Sequence, residues 1–388
     1  MMHMKYELRD YQKEAVNAAT TFFASRCKEN AIIVLPTGSG KSLVIANIAL
    51  ALDAPVLIFQ PSKEILEQNY GKLCSYGFSD VGIYSASFGR KEIRSITFAT
   101  IGSVKNCKEY FMRFKYVIVD ECHYVNPGQG MYKDFFEAIK VKILGLTATP
   151  YRLYSSKNFG SQLKFLTRTR PRVFSSVIYH VQIAELLRRG YLAKMNYYQL
   201  NIVDTSRLKL NSLGSDYSEE SLRQYYHESK FNDSLENIVR RLLKAGRSSI
   251  LVFTRFVDEA QSLTNALGKD AAIVSGDMPK TERELTLKRF KAGYIKVVAN
   301  VGVLTTGFDF PELATVVIAR PTMSLALWYQ ICGRAIRPYK DKVSWIVDLC
   351  GNFKRFGRVD SLYLHDTNHR GAWAVFNGNK QLTNTWFE

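Results

Sequence analysis

The segment LPTGSGKS (35–42) lies between a β-branched apolar run, AIIVL (31–35), and a helical stretch (41–52). A glycine-rich turn in that setting constrains the fold, because a strand and a helix must hold it from either side. Gly38 and Gly40 let the backbone bend so that its N–H groups face an anion. The helix N-terminus adds partial positive charge at the same point. Lys41 can reach the β- and γ-phosphates of a nucleotide, and Ser42 can ligate Mg²⁺. Thr37, Gly38, Ser39, Gly40, Lys41 and Ser42 are therefore the expected nucleotide contacts. The strict phosphate-loop pattern is not met, since Leu35 stands where its first glycine would be.

The same strand-then-helix rhythm runs through the first 150 residues. AIIVL, VLIF (56–59), ITFAT (96–100), YVIVD (116–120) and ILGLT (143–147) are short apolar runs ending in small, turn-forming or acidic residues. Runs apolar on both faces suit a buried parallel sheet. Helical stretches at 41–52, 62–76 and 131–140 lie between them. The rhythm returns in SILVFT (249–254), AAIVS (271–275), KVVAN (296–300), TVVIA (315–319) and SWIVD (344–348), with helices near 256–267, 281–292 and 324–337. At 388 residues the chain is too long for one compact core. The expected architecture is α/β with two parallel-sheet lobes, 1–150 and 236–350, a mixed connecting region at 151–235 and a short aromatic-rich extension at 351–388. Ligands of such sheets sit at the carboxyl ends of the strands.

VIVDECHYV (117–125) supplies the acids a phosphate loop needs. Asp120, at the end of a buried strand, can hold Mg²⁺ through water, and Glu121 can orient an attacking water. Two carboxylates directly after four apolar residues are costly unless something uses them. His123 is given a coupling role.

Lys plus Arg number 53 against 35 Asp plus Glu, a net charge of +18. That surplus favours a polyanionic partner. It is concentrated in 151–200, where Arg152, Lys157, Lys164, Arg168, Arg170, Arg172, Arg188, Arg189 and Lys194 face a single acid, Glu185. With 46% hydrophobic and 23% charged residues, the composition is globular rather than disordered. The six cysteines form no CxxC pair, which argues against a zinc site or a disulfide framework. There is no apolar leader or membrane-length apolar run, so a reducing cytosol, bacterial or that of a phage host, is the expected compartment.

These residues resemble superfamily 2 helicases of the broad DEAD/DEAH type. DECH at 120–123 is one of that group's Asp-Glu-x-His boxes. LRDYQ (8–12), PTGSGKS (36–42), PSKEIL (61–66), TATP (147–150), VFTRF (252–256), NVGVLTTGFDFP (300–311) and QICGRAIRP (330–338) fall around it in the family's order. Finer stretches, among them LGLTATPYRL, GYLA and ARPT–YQICGRAIRP, resemble RadD-like bacterial proteins and phage-encoded branch-migration helicases. RadD-like proteins carry a cysteine-rich zinc region after the motor, which these 388 residues do not contain.

The resemblance implies two RecA-like lobes, with ATP and Mg²⁺ bridging them. It gives Gln12 the adenine edge, which a bidentate amide suits, and Asp309 the ribose. Arg9 packs nearby, and Tyr11 is read as core packing. Thr147 and Thr149 would link nucleotide state to lobe motion. Arg334 and Arg337, three apart on a helix and sharing its face with Gln330, would act across the cleft as arginine fingers.

For nucleic acid, Ser62 at a helix N-cap, Thr254 and Arg255 at the equivalent strand end of the second lobe, and Thr305 with Thr306 are candidate phosphate contacts. In KFLTRTRPRVF (164–174) an extended strand would place Arg168, Arg170 and Arg172 on one face, able to track a duplex arm. The tail aromatics are expected to pack onto a lobe rather than stack bases. The resulting expectation is a monomeric DNA helicase or branch-migration motor, acting on branched or forked DNA in replication, recombination or repair. An RNA helicase with the same engine, or a duplex translocase that does not separate strands, stay open as alternatives.

Overall fold

A run that is apolar on both faces must be covered on both sides, and the chain satisfies this twice. The computed structural model describes residues 7–156, 160–305 and 307–386. Its first strands are β1 (Ala31–Val34), β2 (Val56–Phe59), β3 (Val81–Ser85), β4 (Arg90–Lys91), β5 (Ile96–Ala99), β6 (Tyr116–Asp120) and β7 (Ile143–Thr147). A hairpin, β8 (Tyr151–Ser156) and β9 (Gly160–Phe165), comes next, then β10 (Ser176–His180) and β11 (Lys194–Gln199). The later strands are β12 (Ile250–Thr254), β13 (Ala271–Ser275), β14 (Val297–Val301), β15 (Thr315–Ala319) and β16 (Val343–Asp348), followed by β17 (Leu362–Asp366), β18 (Trp373–Asn377) and β19 (Lys380–Gln381).

The first sheet has the order β10-β1-β7-β6-β2-β5-β3-β4 and is parallel apart from the β3–β4 pair. The second is wholly parallel, in the order β11-β16-β15-β12-β14-β13. Strands β1, β2, β7, β12 and β15 are buried along their whole length. Parallel strands need long crossovers, and helices such as Lys41–Ala51, Lys63–Cys74 and Val257–Leu267 provide them. All the strand ends that carry motif residues therefore open on the carboxyl edge of their sheet.

The stretch 151–235 does not stand apart as one connecting unit. Within it β10 pairs with β1 at the edge of the first sheet, and β11 pairs with β16 at the edge of the second. The basic segment also departs from the expected strand. β9 stops at Phe165, a 3₁₀ turn covers Leu166–Arg168, Arg170 and Arg172 follow on irregular backbone, and all three arginines are exposed. Pro171 has no N–H for a ladder, so a strand through this point would lose a bond. Arg170 donates to the Thr169 carbonyl at 2.8 Å, and Arg172 lies 3.8 Å from Glu29. Lys157 and Thr306 fall outside the described residues, as does Phe387.

The tail packs, as expected. β17, β18 and β19 form an antiparallel sheet bound back to the segment after β10 through Gln182, which exchanges hydrogen bonds with Leu364 at 2.8 and 3.0 Å. Trp373 packs edge-on against His180, and Phe353 against Tyr197. Among the described residues no helix is long and apolar enough to cross a membrane.

Candidate active site

The turn after β1 bends where the sequence places its glycines. Gly38 and Gly40 both have φ of +81°, a region that favours glycine. At Gly40 a Cβ would also stand 2.6 Å from Gln12 Nε2. Two donors from the first helix fix the turn from below. The Tyr11 hydroxyl and Gln12 Nε2 both donate to the Ser39 carbonyl, at 2.6 and 2.8 Å. Tyr11 is thus core, as expected, but its hydroxyl also braces the loop. The other end of the Gln12 amide accepts the Arg9 N–H at 2.9 Å. Among the described residues Ser39 Oγ is buried with no partner.

Lys41 and Ser42 open the helix Lys41–Ala51 and face the end of β6 across a cleft. Lys41 Nζ lies 3.2 Å from Glu121 Oε1. Glu121 sits at φ 48°, ψ 51°, a left-handed conformation that costs a non-glycine residue energy and turns its side chain back into the cleft. Burial alone would push its carboxyl up. The Lys41 charge and the His123 contact overcome this and hold the carboxyl well below the usual range. Asp120 behaves oppositely. Burial, with the Glu121 charge adding to it, pushes its carboxyl up to about 7. Asn69 Nδ2 donates to it at 3.1 Å, a partner that no motif announces. The Ser42 hydroxyl and the Asp120 carboxylate are hard oxygen donors lining one cleft with Lys41, a set that suits Mg²⁺.

His123 joins this group to the strand behind it. Its Nδ1 lies 2.9 Å from Thr147 Oγ1 and 3.1 Å from Thr149 Oγ1, and Thr147 Oγ1 donates to Glu121 at 3.3 Å. DECH and TATP therefore form one buried hydrogen-bonded cluster.

The second lobe supplies the opposite wall. The helix expected over 324–337 spans only Leu325–Cys332, so Arg334 and Arg337 lie beyond it rather than on its face. Gly333 follows, and Pro338 disfavours helical backbone at the residue before it. The two arginines still converge: both donate to the Phe308 carbonyl, at 2.9 and 3.5 Å, and Arg337 also pairs with Asp309. Arg334 Nε contacts the Gln330 carbonyl at 3.3 Å. Burial draws the Arg334 guanidinium down to about 10, with Arg337 adding to it. Lys41, Asp120 and Glu121 on one side and Asp309, Gln330 and Arg334 on the other thus line one cleft.

The nucleic-acid candidates lie along neighbouring strand ends. Ser62 caps the helix Lys63–Cys74, accepting the Ile65 N–H at 3.3 Å. Thr254 is wholly buried and its hydroxyl is spent on the Phe256 carbonyl, so it supports the strand end and does not reach the surface. Arg255 does reach it, beside Glu219 at 3.0 Å. Thr305 lies in the turn after β14.

Residues 5–152 match the family model described as type III restriction enzyme, res subunit, and residues 232–339 match the helicase conserved C-terminal domain. The chain belongs to superfamily 2, the ATP-dependent helicases and translocases. This superfamily 2 helicase is 26% identical over 350 residues to a 51.5 kDa protein of a Lactococcus phage, covering 88% of this chain and 70% of that one. It is 26% identical over 384 residues to the DNA 3'-5' translocase XPB2 of Sulfurisphaera tokodaii, covering 89% of this chain and 82% of that one. Among solved structures, a fragment of a putative HsdR subunit of a type I restriction enzyme from Vibrio vulnificus shares the fold, with a TM-score of 0.69 at 20% identity over 92% of this chain and 67% of the other.

Proposed function

We propose that this chain couples ATP hydrolysis between its lobes to movement on DNA, and that forked or branched DNA is the substrate it processes. The observation that carries the motor is the split cleft. Lys41, Asp120 and Glu121 come from one lobe and Arg334 and Arg337 from the other, so a nucleotide held there ties the lobes together. In this reading Thr37 to Ser42 cradle the phosphates and Asp309 faces the ribose, while Gln12, buried with both ends of its amide spent on Ser39 and Arg9, braces the phosphate loop instead of reading the adenine edge expected of it. Ser42 and Asp120 would hold Mg²⁺, which would supply charge neutralisation for the nucleotide phosphates. Glu121 orients the attacking water. Arg334 and Arg337, with Gln330 beside them, meet the charge that develops on the phosphoryl group. The His123–Thr147–Thr149 cluster carries the change at Glu121 into the first sheet.

DNA is favoured because XPB2 is named for DNA translocation and matches across most of the chain. Ser62, Arg255 and Thr305 are the backbone contacts, with the exposed Arg168, Arg170 and Arg172 as a further basic surface. Contacts of this kind grip phosphate without reading sequence. Translocation along duplex DNA without strand separation is the second reading, favoured by the restriction-subunit family match to the first lobe.

The test is the ATPase rate without nucleic acid, then with single-stranded, duplex, forked and four-way DNA and with RNA, alongside a strand-separation assay. Strongest stimulation by branched DNA with strand separation is expected. Stimulation by duplex without separation selects the translocase, and stimulation by RNA alone overturns the DNA reading.

A further inference from the structure

Two arginines stand side by side at the carboxyl edge of the second sheet. Arg255 follows β12 and Arg320 follows its neighbour β15, whose register pairs Thr254 with Ala319. Their settings differ. Arg255 has acids to either side, Glu219 at 3.0 Å and Asp216 at 3.7 Å. Arg320 is only 9% exposed. Among the described residues its side chain has no hydrogen bond and no ion pair, and its Nε is sealed from solvent and unsatisfied.

The acids nearby are committed elsewhere. Asp216 accepts the Tyr217 and Met323 N–H groups and faces Arg255. Asp348 accepts from Cys350, Asn352 and Phe353. The backbone around Arg320 is rigid: Asn352 Nδ2 donates to the Arg320 carbonyl at 3.1 Å, and Asn352 Oδ1 accepts the Thr322 N–H at 2.9 Å. Burial first and then the Arg255 charge disfavour the Arg320 cation, and Asp216, with Tyr226 and Cys350, offsets this only in part and without a bond to the guanidinium. A buried guanidinium with unspent donors and a like charge beside it is expensive, and persists where something else completes it. What would complete it is an anion with several acceptor oxygens, which a planar guanidinium fork matches.

We propose that Arg320, together with Arg255, forms a phosphate-binding site on the second lobe that takes a backbone phosphate of the nucleic-acid strand. The proposal rests on the nucleic-acid motor reading above and extends it to a residue outside the contacts already assigned. The position supports a strand rather than a free ion. β14 also pairs with β12 and ends level with it, Val301 against Thr254, so Arg320, Arg255 and the Thr305 turn lie along three adjacent strand ends. A phosphate there would also relieve the Arg255–Arg320 repulsion.

The test uses the full chain and a fluorescein-labelled oligo(dT) 20-mer, followed by anisotropy over a KCl series, with thermal unfolding in parallel. For Arg320→Gln the expected result is an affinity loss of about tenfold and a salt slope shallower by about 0.7, one single-strand phosphate contact, with a thermal midpoint unchanged or raised. Unchanged affinity and slope with a lowered midpoint would make Arg320 a structural residue and overturn the site. If Arg320→Gln does not fold, Arg320→Lys keeps the charge and loses the fork. It should weaken binding at an unchanged salt slope, and wild-type affinity in it overturns the site equally. Inorganic phosphate that raises the wild-type midpoint but not the variant's, with oligo(dT) binding unaffected by the substitution, would assign the pair to a free anion instead. A wild-type chain that binds no nucleic acid overturns the motor reading as well, whereas a wild type and variant that bind equally overturn this site alone.

Discussion

Lys41 and Glu121 close on one another at 3.2 Å, with both side chains largely buried. The pair joins the phosphate-loop helix to the end of β6, and Glu121 passes the connection on to Thr147 and His123. A nucleotide phosphate that draws Lys41 toward itself leaves Glu121 held by the His123 and Thr147 contacts alone. The same carboxylate then faces the cleft. The geometry thus couples phosphate capture to the release of the group assigned to water activation.

Removing either partner should separate binding from chemistry. Lys41→Ala should abolish ATP turnover, because the phosphates lose their cation and a buried carboxylate loses its counter-charge. Glu121→Gln keeps the shape and should bind nucleotide while turnover falls by about 100-fold or more. Steady-state ATPase rates and equilibrium nucleotide binding check both. Wild-type turnover in Lys41→Ala would sink the site assignment.

Gly333 is the point where the arginine segment meets the phosphate loop. A Cβ there would stand 2.8 Å from Thr37 Cγ2 and 2.9 Å from Thr37 Cβ. Its φ of −61° suits any residue, so the only cost of alanine is the approach itself. Gly333→Ala should hold Arg334 and Arg337 away from the cleft and lower kcat by roughly 10- to 100-fold, at near wild-type thermal stability. Thr37→Ser in the same background removes the nearer methyl and should restore part of the rate. An unaffected kcat would show that the lobes do not need this contact in the turnover state.

What was legible in the sequence follows from which signals are local. VLIF, YVIVD, ILGLT and TVVIA read as strands because burial on both faces leaves no polar position to blur the run, and each strand falls on or within its run. The phosphate loop and DECH read clearly because their chemistry is contiguous. The edge strands β10 and β11 did not. SVIYH and KMNYYQ are partly exposed and mixed in polarity, so neither a run nor an alternation marks them. The arginine segment keeps a helical spacing past Gly333, although Gly333 and Pro338 both mark a helix end, and what only the structure shows is Gly333 set against Thr37. Asn69 carries no motif signal, and Arg320 lies within the ARPT stretch with nothing there to mark its side chain as unpartnered. One is defined by the carboxylate it meets, the other by the partner it lacks.

Glu259 offers a pH test of the strand end that carries Arg255. Its Oε2 accepts the Arg255 and Phe256 N–H groups at 3.1 and 3.4 Å, while Oε1 is buried and has no partner among the described residues. Burial pushes the carboxyl up to about 7 from its ordinary 4.5, against the pull of the two N–H groups, with Asp258 adding to the rise and Arg223 opposing it. Between those two values the folded chain holds a proton that the unfolded chain has released. The contribution of this group is therefore greatest below about 4.5 and is lost as pH rises through about 7. Glu259→Gln is neutral throughout and keeps an acceptor for the cap. It should match the wild type near pH 5 and exceed it at pH 8 by roughly 1–3 kcal/mol. Thermal midpoints of both chains from pH 5 to 8 decide the matter. Parallel profiles would mean that Glu259 stays ionised in the folded protein, with its second oxygen reached by water or by a cation.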